Sequence, residues 1–260
     1  MFRIILAIFL VSSLNSYANS PKSQDILLWN SERGIKTFEN SEYKQDFYQL
    51  VNFYQPQANP FYCGIASSVI VLNAFKNGKI ESQKEIEGKI PQSLGGGVLE
   101  YKSYSQSNFL NAKTDKIKSK EIIEFKKPTR IENGKEIYDE GLTLANLKDI
   151  LTKVHKLKVK VNYATNNNEK SVAEFRKNLK KYLQDDTHFV LANFDGRVIK
   201  TNGAGHISPL VAYDESSDLV MVLDVAAHKR MWYFVSVAKL YEAMNTKDGE
   251  SFRGYLIVSQ

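Results

Sequence analysis

Residues 203–226 read GAGHISPLVAYDESSDLVMVLDVA. A turn of small residues leads into a strand-like run over 206–213, the polar stretch 214–218 breaks it, and a second apolar run follows over 219–225. Two β-rich runs separated by a short polar break predict an antiparallel hairpin. Further strand-like runs lie at 188–194, 231–235 and 254–259, interrupted by a single helical stretch over about 237–245. Upstream the pattern is helical. Gly141-Leu-Thr143 precedes Leu144, Leu147, Ile150, Leu151 and Val154, an apolar stripe at helical spacing, which is followed by a strand-like 158–163. A second helix is predicted over about 171–183. Helices first and a mostly antiparallel sheet last predict an α+β fold.

The remaining stretches are less regular. Residues 92–111 are rich in glycine, serine and tyrosine, and lysines interrupt every apolar run over 113–140, so both read as short helices or loops rather than linkers. Residues 23–53 mix aromatics with charges and read as a leader wrapping the surface ahead of the 56–60 loop. With 260 residues and a 43% hydrophobic fraction the chain suits one domain of two lobes around a substantial core. Its net charge of +6 comes largely from lysines scattered over 113–181, a pattern of solvated faces rather than of a nucleic-acid footprint.

The first twenty residues, MFRIILAIFLVSSLNSYANS, carry Arg3, an apolar core over 4–11 and small residues at Ser16, Ala18 and Ser20. This is the pattern of a cleavable secretory signal. No later segment approaches the roughly 20 uninterrupted apolar residues that span a bilayer. The expectation is a signal peptide over 1–20 and a domain over 21–260, exported to the periplasm or secreted, without stable membrane insertion or a lipid anchor.

In an oxidising compartment structural cysteines usually pair, so the single cysteine, Cys63, is either an inert buried residue or a retained reactive thiol. It sits in QANPFYCGIASSVIVLNAF, residues 57–75, where a breaker-rich loop passes abruptly into an apolar helical run that should end near Asn77-Gly78. A helix N-terminus offers unpaired N–H groups and a partial positive charge, both of which favour a thiolate.

A cysteine nucleophile needs a base, a group to orient the base, and donors for an oxyanion. Of four histidines, His155 late in the Thr143 helix, His188 at a strand start and His228 in a charged loop read as surface or packing residues. His206 stands between a permissive turn and a rigid strand, and the predicted hairpin brings Asp224 beside it. The plainer alternative is an ordinary strand-end histidine and a turn-starting carboxylate. Gln57 is either a loop amide or an oxyanion donor, partnered by the Cys63 N–H.

The two quoted blocks resemble the catalytic blocks of phytochelatin synthases, papain-like enzymes acting on glutathione. The likeness includes Gln57 ahead of Cys63 and Asp224 after His206, and extends to GLTLANL (141–147), TNGAGH (201–206) and EAMNTKDGESFRGYLIVS (242–259), covering about residues 47–259. It implies a papain-like fold with an N-terminal helical lobe and a C-terminal sheet lobe. Cys63 would attack the cysteinyl–glycine amide of glutathione, His206 would pass a proton to the leaving glycine, Asp224 would orient His206, and Gln57 would donate to the oxyanion. The γ-glutamylcysteinyl enzyme would then pass to water, the favoured acceptor, or to a second glutathione, giving a phytochelatin. The chemistry requires no cofactor and no metal site; metal–glutathione thiolates would enter as substrate. Glutathione is thus the implied partner, with a homodimer left open.

The C-terminal block implies that Asp248 takes the α-ammonium and Arg253 the α-carboxylate of the γ-glutamyl group, since both charges are costly to desolvate unpaired. Read without the resemblance, these are charges in a turn before the last strand, and their spacing is shorter than the family's usual one. After Asp224-Val-Ala226 the family usually carries Arg and a Lys-Tyr-Pro-Pro run, where this chain has Ala227-His228-Lys229-Arg230-Met231. That departure bears on acceptor-site geometry. No counterpart of the plant enzymes' cysteine-rich C-terminal domain follows Gln260, so the expectation is a short catalytic-core member. Two alternatives stand beside it. A bacteriocin-leader-type cysteine peptidase shares the Gln, Cys, His, Asp order, but a peptide chain offers no γ-glutamyl zwitterion for Asp248 and Arg253. A non-catalytic thiol or metal-binding module would rest on a lone cysteine and dispersed histidines, which are poor ligands.

Overall fold

The computed structural model describes residues 26–75, 86–101, 103–201 and 203–260. The predicted signal over 1–20, the predicted helix end at Asn77-Gly78 and Asn202 of the predicted turn lie outside the described residues. The chain opens with β1 (Ile26–Leu28), α1 (Glu32–Asn40) and α2 (Gln45–Leu50). Ser31 caps α1, its Oγ accepting from Gly34 N at 3.1 Å. Next come α3 (Cys63–Ala74), the hairpin β2 (Ile86–Lys89) and β3 (Val98–Tyr101), then the short helices α4 (Gln106–Phe109), α5 (Ala112–Asp115) and α6 (Lys120–Ile123). A second small hairpin, β4 (Arg130–Glu132) and β5 (Lys135–Ile137), leads to α7 (Leu144–Asp149), capped by Thr143 as its sequence predicts. The regular part follows: β6 (Lys158–Tyr163), α8 (Glu169–Tyr182), β7 (His188–Asp195), β8 (Gly205–Asp214), β9 (Leu219–Val222) and β10 (Tyr233–Ser236). The chain closes with α9 (Val237–Met244), the two-residue strands β11 (Lys247–Asp248) and β12 (Ser251–Phe252), and β13 (Gly254–Ser259).

Seven strands form one sheet in the order β1-β10-β9-β8-β7-β13-β6. Every neighbouring pair is antiparallel, as predicted. Successive side chains on a strand point to opposite faces, and here both faces are covered. On one side Leu191, Ile207 and Leu256 pack with Ile65 and Val69 of α3 and Leu147 of α7. On the other side Val190, Leu210 and Ile257 pack with Phe175 and Leu179 of α8 and Leu240 and Met244 of α9. Burial on both faces is why these strands read as nearly continuous apolar runs rather than as alternation. The helix α3 is buried along its whole length from Gly64 to Asn73, which accounts for an apolar sequence without a polar stripe.

Four expectations need correction. Residues 23–53 do not simply wrap the surface: within them β1 forms the sheet edge beside β10, and Leu50 of α2 is fully buried. The division into a helical and a sheet lobe is therefore incomplete, because the edge strand comes from the N-terminal part. Two small hairpins, over 86–101 and 130–137, accompany the short helices of 92–140. The helix predicted through Val154 widens into a π-turn over Ile150–Val154, where His155 N donates to Ile150 O at 3.2 Å.

Candidate active site

Cys63 is the first residue of α3, with Tyr62 at the cap position making no side-chain cap bond. The helix start is pressed against the start of β8: a Cβ on Gly64 would stand 3.2 Å from Ile207 Cδ1, and Ser67 Oγ donates to Ile207 O at 3.0 Å. That contact sets the half-buried thiol beside the residue preceding Ile207, which is His206. Burial alone would push the Cys63 thiol up. The hydrogen bond and charge of His206 and the N–H groups of Ile207 and Gly64 outweigh burial, so its pKa is lowered.

His206 and Asp224 meet across the β8–β9 hairpin, as the turn at 214–218 predicts. His206 Nε2 lies 2.7 Å from Asp224 Oδ1 and 2.9 Å from Ser208 Oγ. Nδ1 is left as the ring nitrogen to serve the thiol. The carboxylate of Asp224 is fully buried. Its Oδ1 also accepts from Ala226 N at 2.8 Å, its Oδ2 accepts from Arg230 Nη1 at 2.7 Å, and its main-chain carbonyl accepts from the Tyr54 hydroxyl at 2.9 Å. Burial disfavours the charged form of both partners. For His206 the Asp224 charge and hydrogen bond, with those of Cys63, reverse the burial effect and push its pKa up to about 9. For Asp224 the charge and hydrogen bond of His206, the Ala226 N–H and the charge of Arg230 outweigh burial and bring it down to about 2. The lowered thiol, the raised imidazole and the lowered carboxyl together favour a thiolate–imidazolium pair beside an ionised carboxylate.

Gln57 is tied to the same place through its main chain, its N–H donating to Val225 O at 2.8 Å. Its side chain faces its own loop. Nε2 donates to Asn59 O at 2.9 Å and to Pro60 O at 3.0 Å, while the buried Oε1 has no partner. Both amide N–H bonds are thus taken, and donation to an oxyanion requires one of them to be exchanged.

Asp248 and Arg253 come together on the β11–β12 hairpin and just beyond it. Arg253 Nη2 lies 3.4 Å from Asp248 Oδ1, Nη1 reaches Thr246 Oγ1 at 3.2 Å and the Lys247 carbonyl, and the buried Nε has no partner. Asp248 Oδ2 accepts from Asn193 Nδ2 at 2.9 Å. The guanidinium abuts the chain next to His206, because a Cβ on Gly205 would lie 2.9 Å from Arg253 Nη2. A buried cation with a long ion pair and an unused donor suits a second anion.

A family model for phytochelatin synthase matches residues 18–255. The chain belongs to the phytochelatin synthase family. Among its relatives, glutathione gamma-glutamylcysteinyltransferase 2 of Arabidopsis thaliana is 23% identical over 252 residues, 96% of this chain and 48% of that protein. Glutathione gamma-glutamylcysteinyltransferase 3 of Lotus japonicus is 25% identical over 218 residues, covering 83% and 38% of the two chains. The Schizosaccharomyces pombe glutathione gamma-glutamylcysteinyltransferase is 32% identical over 90 residues, 34% of this chain and 22% of its own. The matched regions cover less than half the length of each of these relatives.

The other histidines lie outside the trio. His155 is stacked on Phe109, with burial holding its pKa at about 4; His188 bonds Asp185; and His228 is exposed. No cluster of three His, Cys, Asp or Glu side chains among the described residues is placed to hold a metal ion. Sequence reading missed Ser208, Arg230 and Asn193. Ser208 was findable, since strand residues two apart share a face. Arg230 and Asn193 reach their partners through a loop and across strands, where no spacing rule applies.

Proposed function

We propose that the protein is a papain-like thiol acyltransferase acting on glutathione, with water as the favoured acceptor. The observation that carries this reading is the continuous chain from Cys63 through His206 to Asp224, with the thiol pKa lowered and the imidazole raised to about 9. The Cys63 thiolate attacks the carbonyl carbon of the cysteinyl–glycine amide. As the C–N bond breaks, His206 gives its proton to the glycine nitrogen, and a γ-glutamylcysteinyl thioester remains on Sγ. His206, now neutral, takes a proton from water as that water attacks the thioester. γ-Glutamylcysteine leaves and the thiolate–imidazolium pair is restored.

The Cys63 N–H and, after exchanging a loop bond, Gln57 donate to the tetrahedral oxyanion, a contribution of about 3 to 4 kcal/mol for such a donor. Asp248 and Arg253 separate from their long contact to take the γ-glutamyl ammonium and carboxylate. A second glutathione in place of water gives a phytochelatin, and the departure at Ala227 to Met231 beside Asp224 bears on the geometry of that acceptor site. The segment over 1–20 would direct the protein out of the cytoplasm.

The test is to incubate the purified protein with glutathione, with and without cadmium, and resolve the products by mass. Glycine with γ-glutamylcysteine is the expected outcome, and oligomers would make transfer the main reaction. The Cys63→Ser variant should lose turnover while keeping its fold. Intact glutathione after prolonged incubation, or an active Ser variant, overturns the reading.

A further inference from the structure

Asp224 answers to two cations. Oδ1 faces His206 Nε2 at 2.7 Å, and Oδ2 accepts from Arg230 Nη1 at 2.7 Å. The side chains of Arg230 and His206 are only 11% and 12% exposed, so solvent does little to screen these charges. The ionisable groups around them come from several elements. Cys63 of α3 and Asp224 act on His206; His206 of β8 and Arg230 act on Asp224. The phenols of Tyr233 on β10 and Tyr54 lie in the field of Asp224, and burial raises both from their ordinary values, so neither ionises in the working range of the pair. Arg230 is the fixed positive charge among them.

We propose that Arg230 is a positioning residue of the nucleophile pair: it clamps the second oxygen of Asp224 and shares that carboxylate's charge, so that His206 is held in place yet remains able to release its proton. An imidazolium set between a thiolate and an undivided buried carboxylate is a poor acid. Dividing the carboxylate between two cations draws the imidazole back toward the operating pH, where proton donation to a leaving nitrogen is efficient. The same contact matters after the proton has left. When His206 is neutral, Asp224 would otherwise be an unpaired buried anion, and Arg230 keeps it compensated in both protonation states.

The proposal rests on the thiolate–imidazolium pair and not on glutathione as substrate, so its main readout uses no substrate. The rate of Cys63 alkylation by iodoacetamide is followed against pH in the wild type, Arg230→Gln and Arg230→Lys. Removing a fixed cation raises the proton affinity of both members of the pair. Both inflections should therefore move up in the Gln variant, by roughly one pH unit, and return in the Lys variant, with the alkaline limb of kcat/KM for glutathione moving in parallel. A merely structural role would lower the reactive fraction at every pH and leave the inflections in place, and that result overturns the proposal. Should Arg230→Gln fail to fold, the same change in an Asp224→Asn background, which leaves no buried carboxylate unpaired, decides. With no carboxylate left to divide, its curve should coincide with that of Asp224→Asn alone; an upward shift relative to Asp224→Asn would show that Arg230 acts on the pair directly and overturns the clamp. A shift in the Arg230→Gln single variant of a protein that leaves glutathione intact supports Arg230 while overturning the substrate.

Discussion

Replacing Gly205 by alanine tests whether Arg253 reads the substrate, and it does so without removing any charge. The added Cβ would sit 2.9 Å from Arg253 Nη2, closer than side-chain atoms tolerate. The guanidinium must withdraw by several tenths of an ångström to reach ordinary contact. Its Nη2 contact to Asp248 Oδ1 is 3.4 Å long, so little holds the guanidinium in place against that movement. A bound carboxylate would then lose one charge-assisted bond, worth about 1.5 to 3 kcal/mol, which corresponds to roughly a 10- to 150-fold rise in KM for glutathione. The kcat should fall much less, because the thiolate and its base are untouched. Steady-state kinetics with glutathione give both constants, and the alkylation rate of Cys63, expected near wild type, controls for damage to the adjoining His206. A Gly205→Ala enzyme with unchanged KM would refute the placement of the γ-glutamyl carboxylate at Arg253; slowed alkylation would show instead that the methyl disturbs the base.

The other predictions concern charge. Asp224→Asn should cut turnover strongly by freeing the imidazole orientation, whereas His228→Ala should leave it intact; equal losses would mean the wrong base has been named. The His206 pKa of about 9 lies above its ordinary 6.5, so its contribution to stability is full below about pH 6.5 and disappears as pH rises through 9. Denaturant titrations should show this loss in the wild type and little of it in Asp224→Asn. Asp46 of α2 is fully buried, neither of its carboxylate oxygens has a partner, and burial, then the charge of Asp185, raises its pKa well above the ordinary value. Its contribution favours folding at low pH and is lost as pH rises through the raised folded-state value. Asp46→Asn should therefore be the more stable protein at about pH 8, by about 1 to 3 kcal/mol, and the difference should shrink on acidification.

Much of this protein is written locally. The loop-to-helix junction at Cys63, the Thr143 cap, the strand over 158–163 and the hairpin joining His206 to Asp224 follow from patterns only a few residues to some twenty residues long. Helical and strand periodicity, caps and turns act over that range, and the sequence records them directly. Ser208, two residues from His206 on the same strand, was legible by the same rule. The thiol and its base are different, because no local pattern joins positions 63 and 206. Their pairing was anticipated from the resemblance and is realised by the pressing of α3 against β8 at Gly64 and Ile207. Only the folded chain decided that β1 completes the sheet, that Arg230 turns back onto Asp224, that Asn193 holds Asp248, and that the Gln57 amide bonds its own loop. These contacts depend on which distant segments share a sheet edge or a core. That choice is made by burying the faces of all the elements at once, a condition on the whole chain that no short stretch of sequence contains.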